Sequence, residues 1–160
     1  MKIMDWMKDT AEQLKRGAFL MIKGNPMTIG WGQFGVLWGR PTFTVYVRRS
    51  RYTHELLEQT NTFTVSVPAS DTMKKELSFC GTKSGRDLNK MDALQASLFP
   101  SRFNAEDGFD GCRYHIECRI LFRTELPEHL LEDSTLLSRY YADGDPHTMV
   151  IGEILGVTEV

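Results

Sequence analysis

The chain has 160 residues, enough for one domain with a single sizeable core. Apolar residues make up 41% and charged residues 25%, the balance of an ordinary globular chain, and a formal net charge of −2 argues against a general polyanion binder. The three cysteines show neither zinc spacing nor a C-x-x-C pair, and the four histidines are unclustered, so no metal is assigned.

The N-terminal stretch MKIMDWMKDTAEQLKRG carries charges throughout and lacks the apolar core of a signal peptide. Trp6, Met7, Ala11 and Leu14 recur at helical spacing, which predicts a helix over 5–16 that ends at Gly17. The short run AFLMIK (18–23) reads as a strand, Gly24-Asn25-Pro26 as a turn, and 28–38 as one glycine-interrupted strand. TFTVYVR (42–48) is β-branched and aromatic throughout, a strong strand. Thr53 is the expected cap of a two-turn helix, HELLEQT. FTVSV (63–67) is another strand, stopped by Pro68, and Ser70 or Asp71 can cap a helix TMKKELSF that ends at Cys80-Gly81. SGRDLNKMDAL reads as a turn into a short helix.

CRYHIECRILFR (112–123) alternates. Cys112, Tyr114, Ile116, Cys118, Ile120 and Phe122 face one way, and Arg113, His115, Glu117, Arg119 and Arg123 the other, which predicts a half-exposed antiparallel strand. On such a strand Cys112 and Cys118 would stand roughly 20 Å apart and could not pair. An odd cysteine count with no secretory framework fits a reducing compartment, so a cytoplasmic location is expected. Residues 127–141 read as helix broken at Glu132-Asp133-Ser134, and 148–160 as a closing strand with a glycine break. No apolar run approaches the ~20 residues of a membrane span. Five or six strands with helices in the connections argue for a β-barrel decorated with helices, in one domain over 1–160.

Three segments can carry chemistry. In VRRSRYTH (47–54), Arg48, Arg49 and Arg51 crowd a strand end with Ser50 and Thr53, which suits a phosphate or makes a solvated cationic loop. In CGTKSGRDLNK (80–90), Gly81 and Gly85 permit close backbone approach while Ser84, Lys83, Arg86 and Lys90 add donors; the segment is an anion cradle or a capped turn, and it lacks Walker spacing. In NPMTIGWGQFGVLWGRP (25–41), Asn25 and Thr28 lie beside glycines, and Trp31 and Trp38 either stack on a planar ligand or fill the core. Together the segments supply an aromatic and backbone wall for a ring and arginines for a phosphate, the two needs of flavin mononucleotide (FMN). The rival reading of the arginines and aromatics, a nucleic-acid-binding barrel, is opposed by the acidic balance.

The blocks NPMTIGWGQFG, TVYVRRSRYTHELLEQTNTFTVSVP, LSFCGTKSGRDLNK and HTMVIGEILG, in that order, resemble the flavin reductase-like FMN-binding split-barrel proteins, the group that includes flavoredoxin. The resemblance covers most of 18–156 and weakens over 92–111 and 123–146. It implies a six-stranded antiparallel split β-barrel, a homodimer, and FMN near the subunit interface. Asn25, Thr28, Gly30 and Trp31 would then meet the flavin ring, and Arg48, Ser50, Arg51 and Thr53 its phosphate. Ser84, Gly85, Arg86 and Lys90 would complete the binding, with Cys80 and Gly81 lining the pocket, and His147 would stand at the flavin mouth as the catalytic candidate. It further implies an oxidoreductase taking electrons from NADH or NADPH as transient donor, with a redox protein as a possible acceptor. An FMN-holding electron carrier without its own NAD(P)H turnover is the alternative. Membrane and nucleic-acid partners are not expected.

Overall fold

A computed structural model describes residues 3–160. The leading helix, α1 (Ile3–Leu14), buries Trp6, Thr10, Gln13 and Leu14, one face at helical spacing. Trp6 packs on Phe34, with ring centroids 5.5 Å apart. The strands follow as β1 (Ala18–Ile22), β2 (Asn25–Ile29), β3 (Gly32–Leu37), β4 (Arg40–Arg48), then helix α2 (Tyr52–Leu57) and β5 (Thr62–Val67). Helices α3 (Lys74–Thr82) and α4 (Lys90–Ala93) lead into a two-strand ribbon, β6 (Leu98–Phe99) with β7 (Gly108–Phe109). The long strands β8 (Tyr114–Glu125) and β9 (His147–Glu159) flank a 3₁₀ turn at Glu128–Leu130 and helix α5 (Ser134–Tyr140).

Seven strands form one antiparallel sheet in the order β2-β1-β5-β8-β9-β4-β3. The expected six-stranded barrel is therefore corrected in its count, and no ladder joins the end strands β2 and β3 among the described residues. The reason is local. The single strand expected over 28–38 is two strands, broken at Gly30 and Trp31. That break also shapes the whole sheet. Its two end strands are consecutive in the chain and only two residues apart, within about 11 Å of reach. The sheet must curl until its edges come close, and Gly30-Trp31 bridges the gap between them.

The core fills the curled sheet with Leu20, Ile22, Phe43, Val45, Val47, Phe63, Val65 and Ile116, all fully buried. A second cluster, with Phe19, Met21, Leu77, Cys80 and Phe109, lies under α3 on the other face of β1. Both faces of β1 are thus covered, which explains its continuous apolar run.

Two helix starts differ from expectation. Thr53 does not cap α2; Arg51 occupies the cap position without a side-chain bond, and Thr53 is buried in the first turn. Neither Ser70 nor Asp71 caps α3, which starts from Met73 in a left-handed conformation, φ 58°. The half-exposed reading of β8 is corrected too. His115 and Glu117, on the face expected to meet solvent, are buried because 97–110 folds across them. Glu117 accepts hydrogen bonds from the backbone N–H groups of Arg102, Phe103 and Asn104 at 2.9–3.1 Å. His115 stacks flat on Phe99 at 4.0 Å and bonds Ser66 through Nδ1 at 2.9 Å.

Candidate functional site

The gap between the sheet's end strands opens into a cavity. Met27, Thr28 and Ile29 of β2 line it with Gly30 and Trp31; Tyr46 and Arg48 of β4, Arg51 and His147 complete it. Strand periodicity aims Tyr46 and Arg48 the same way, and the β4–β9 register sets Arg48 opposite His147. Trp31 is 47% exposed, so it is no core residue. Its ring meets Tyr140 edge-on at 5.1 Å and His147 at 5.3 Å. Thr28 donates its hydroxyl to the Leu77 carbonyl at 2.6 Å and packs against Gly81, where an added Cβ would lie 3.4 Å away.

A second cleft adjoins the first. It is lined by Ser50, Arg51, Tyr52 and Thr53 on one side and by Thr82, Lys83, Ser84, Gly85, Arg86 and Lys90 on the other. Four of these side chains are cations and none is a carboxylate, in a chain whose net charge is negative. Arg51 lines both cavities; its guanidinium reaches the Gly81 carbonyl only at 3.4–3.5 Å, which leaves donors to offer. The chemistry of this set fits a ligand with a planar ring and a phosphate: a wall of Trp31 and open backbone at Gly30, then a cationic cleft rich in hydroxyls.

The residues singled out from sequence do not all converge. Thr28, Gly30, Trp31, Arg48, Arg51 and His147 share the first cavity, and Ser50, Arg51, Thr53, Ser84, Gly85, Arg86 and Lys90 the second. Asn25 lies at the far end of β2. It donates to the Thr53 hydroxyl at 3.3 Å and sits so close to Gly85 that a Cβ there would be 2.2 Å from its Oδ1. Asn25 thus braces the second cleft from behind and does not line the ring-side cavity. Arg48 belongs to the ring-side cavity, where it donates to the Asp145 carbonyl at 2.7 Å and lies over the Tyr141 ring. Ser50 has both its N–H and its hydroxyl on the Asp145 carboxylate. Arg86 is paired with Glu55.

Lys90 and Cys80 are structural. Lys90 is buried, and its ammonium donates to the carbonyls of Pro26 and Cys80 at 2.8 and 3.0 Å, tying β2 to the end of α3. Burial pushes its pKa down to about 8, Cys80 opposing and Arg51 adding. The Cys80 thiol is pushed up to about 11, chiefly by burial, so it stays protonated and unreactive near neutral pH. Trp38 does neither of the things the sequence allowed it: it lines neither cavity, is 59% exposed, and meets Phe122 at 6.3 Å on the outer surface.

His147 is buried, and its Nδ1 lies 2.8 Å from the Tyr141 hydroxyl. Burial, with Arg48 beside it and Asp145 opposing, pushes its pKa down to about 4, so the ring is neutral at pH 7. Tyr46, Tyr140 and Tyr141 went unnoticed in the sequence, whereas Lys83, read there as a donor of the 80–90 segment, does line the second cleft. Tyr46 was findable, since it shares a strand face with Arg48 two residues on. Tyr140 and Tyr141 were not, because only the return of 126–146 toward the sheet brings them to Trp31 and His147.

A model of the family described as "Flavin reductase like domain" matches residues 17–160. The chain belongs to the flavin reductase-like family. A protein of Archaeoglobus fulgidus, itself uncharacterised, is 31% identical over 136 residues, covering 85% of this chain; the chain spans 66% of that relative, just under two thirds. Among solved structures, the flavoredoxin of Methanosarcina acetivorans superposes with a TM-score of 0.69 at 24% identity, over 90% of this chain and 68% of that one. An FMN-binding protein of Thermus thermophilus gives 0.68 at 21% identity, over 89% and 70%. An NADH:FAD oxidoreductase of Streptomyces globisporus gives 0.66 at 19%, over 90% and 70%. At these identities the structural likeness is one of fold. The antiparallel, mainly β architecture of this flavin reductase-like chain is that of its neighbours.

Proposed function

We propose that this chain is an FMN-binding oxidoreductase of the flavin reductase or flavoredoxin type, passing electrons from a reduced nicotinamide nucleotide through bound flavin to an acceptor. The observation that carries the reading is Arg51, which joins an aromatic-walled cavity to a cleft lined by four cations and no carboxylate. Family membership and neighbours described as FMN-binding or as an NADH:FAD oxidoreductase support it. When bound, the flavin supplies the redox chemistry itself.

The chain's own residues bind and orient. Arg51 and Lys83, with the Ser84 and Thr82 hydroxyls, hold the phosphate end. Gly30 lets a ring approach the backbone, and Trp31 offers a flat apolar face beside it. Arg48, braced by the Asp145 carbonyl and the Tyr141 ring, places positive charge at the ring-side cavity. His147, neutral at pH 7, stands against the same cavity. We further infer a homodimer. Edge strand β3 and the turn after it expose Val36 (79%), Leu37 and Trp38 next to Phe122, an apolar strip at the unpaired edge of the sheet.

The test is direct. The purified chain titrated with FMN should quench flavin fluorescence at a saturable, stoichiometric end point. Mixing the loaded protein anaerobically with NADH or NADPH should bleach the flavin absorbance. Failure to take up FMN overturns the reading. Uptake without bleaching by either nucleotide, but with bleaching by dithionite, replaces it with the FMN-holding carrier, a role that the likeness in fold to flavoredoxin supports.

A further inference from the structure

His147 is held in a way that family membership does not explain. Its Nδ1 faces the Tyr141 hydroxyl at 2.8 Å, and the two rings meet at 86° with centroids 5.5 Å apart. Tyr141 follows the last turn of α5, where its backbone N–H bonds the Leu137 carbonyl. Its ring lies under the Arg48 guanidinium, whose carbon is 5.4 Å from the ring centre, and Arg48 is itself tied to the Asp145 carbonyl. Among the described residues His147 Nε2 makes no hydrogen bond, and the ring lines the cavity with Trp31, Tyr46, Arg48 and Arg51.

Two neutral partners can share this bond in two ways. Either the phenol donates to Nδ1 or Nδ1–H donates to the phenol oxygen. A phenol O–H is far more acidic than an imidazole N–H, and an imidazole nitrogen is far more basic than a phenol oxygen. The stronger bond is therefore O–H to Nδ1. We propose that Tyr141 is a positioning residue for His147: its hydroxyl donates to Nδ1, holding the imidazole as the neutral tautomer whose remaining Nε2–H is a hydrogen-bond donor to the cavity. His147 then serves whatever sits against it as a fixed donor, not as a proton source.

The surroundings favour the same state. Tyr141 is shifted up from the usual phenol range by burial, Arg48 opposing, so it keeps its proton. His147 is shifted down by burial and by Arg48. The charged and titratable groups facing the pair are Tyr46 and Arg48 from β4, Asp145 from the loop before β9, and Glu128 from the 3₁₀ turn; Arg51 lines the same cavity. Asp145 pulls His147 the other way, but its carboxylate is already engaged by Ser50. The consequence for chemistry rests on the flavin reading of the cavity, whereas the tautomer is a property of the chain alone.

Long-range proton–nitrogen correlation spectra of the full ¹⁵N-labelled chain, recorded without flavin, read the tautomer. The expected result is a His147 ring protonated at Nε2 and bare at Nδ1 in the wild type. In Tyr141→Phe, which keeps the ring under Arg48, the expected result is a mixture of tautomers. Loss of a bond to the neutral form should also raise the His147 titration midpoint by up to ~1 pH unit. A wild-type ring protonated at Nδ1 overturns the proposal without any variant. So does a Tyr141→Phe spectrum with the same tautomer and midpoint as wild type. FMN titration of the same samples judges the flavin reading separately, since failure to bind there leaves the tautomer result to decide this one.

Discussion

At the scale of single residues, Arg51 and Lys90 show how two cations in one cleft come to differ. Lys90 is enclosed and its ammonium has two carbonyls, so its charge serves the fold. Arg51 is half-buried with long contacts to one carbonyl, so its fork remains available to an anion. Arg51→Ala should raise the FMN dissociation constant roughly 10- to 100-fold by fluorescence titration, the range expected from losing one charged hydrogen-bond partner. Its effect on thermal stability should be small. His115 carries a pH prediction. Burial pushes its pKa from 6.5 down to about 4, and His147 is shifted equally. Between those values the unfolded chain holds protons that the folded chain does not, so stability falls as pH drops through the window. Each histidine contributes up to about 3 kcal/mol across it. His115→Gln, which keeps an acceptor for Ser66, should flatten the pH dependence of the urea midpoint between pH 6.5 and 4 by one proton's worth.

At the scale of elements, the segment between α4 and β8 is held down by two buried carboxylates, its own Glu106, which accepts from the Lys23 N–H and the Thr60 and Thr62 hydroxyls, and Glu117. Glu117 projects from β8 and gathers three consecutive N–H groups of 102–104, while Asn104 bonds the carbonyls of Phe63 and Cys118. The alternation that marked Glu117 as solvent-facing was sound for the strand, but it could not show that another segment lies on that face. Glu117→Gln keeps the shape and removes the charge. It should cost about 2 kcal/mol in urea unfolding, with amide exchange at 102–104 rising more than in the β8–β9 ladder. A smaller loss would mean the Glu106 and Asn104 contacts hold the segment without it. The helix starts teach a similar lesson. Thr53 has the side chain of a cap, but its hydroxyl receives Asn25 from β2, a partner 28 residues away along a different element.

At the scale of the whole molecule, the seven-strand order brings β2 and β3 to opposite edges of one sheet, and the two-residue link between them makes that sheet curl. The ring-side cavity is the opening left at the link, which is why residues from β2, β4 and β9 meet there. The edge strand β3 turns Phe34 inward against Trp6 but leaves Val36 and Leu37 exposed. Sedimentation equilibrium should find a dimer at micromolar concentration. Val36→Lys combined with Trp38→Lys should raise its dissociation constant by more than ~30-fold, the effect of losing a central apolar anchor. A monomeric wild type would sink the dimer while leaving the cavity and its FMN titration untouched.

Some of this was written in local pattern. The strands at 18–22, 42–48 and 63–67 were legible because β-branched and aromatic runs bounded by glycine or proline suit few other structures. The arginine cluster, the Ser84–Gly85–Arg86 turn and the Gly30–Trp31 pair were legible as chemistry, since their residue types are costly or unusual where they stand. Which of them share a cavity was not. The β4–β9 register set Arg48 against His147, a close approach at Gly85 turned Asn25 away from the ring, and the return of α5 brought Tyr141 to Nδ1. Those are long-range contacts, made by a curled sheet, and no residue's own neighbours in the chain encode them. The sequence by itself therefore determined most of the long strands and the kinds of side chain available, but not the break at Gly30–Trp31 or the β6–β7 ribbon. Only the tertiary structure decided which of those side chains meet, because that depends on strand order and register.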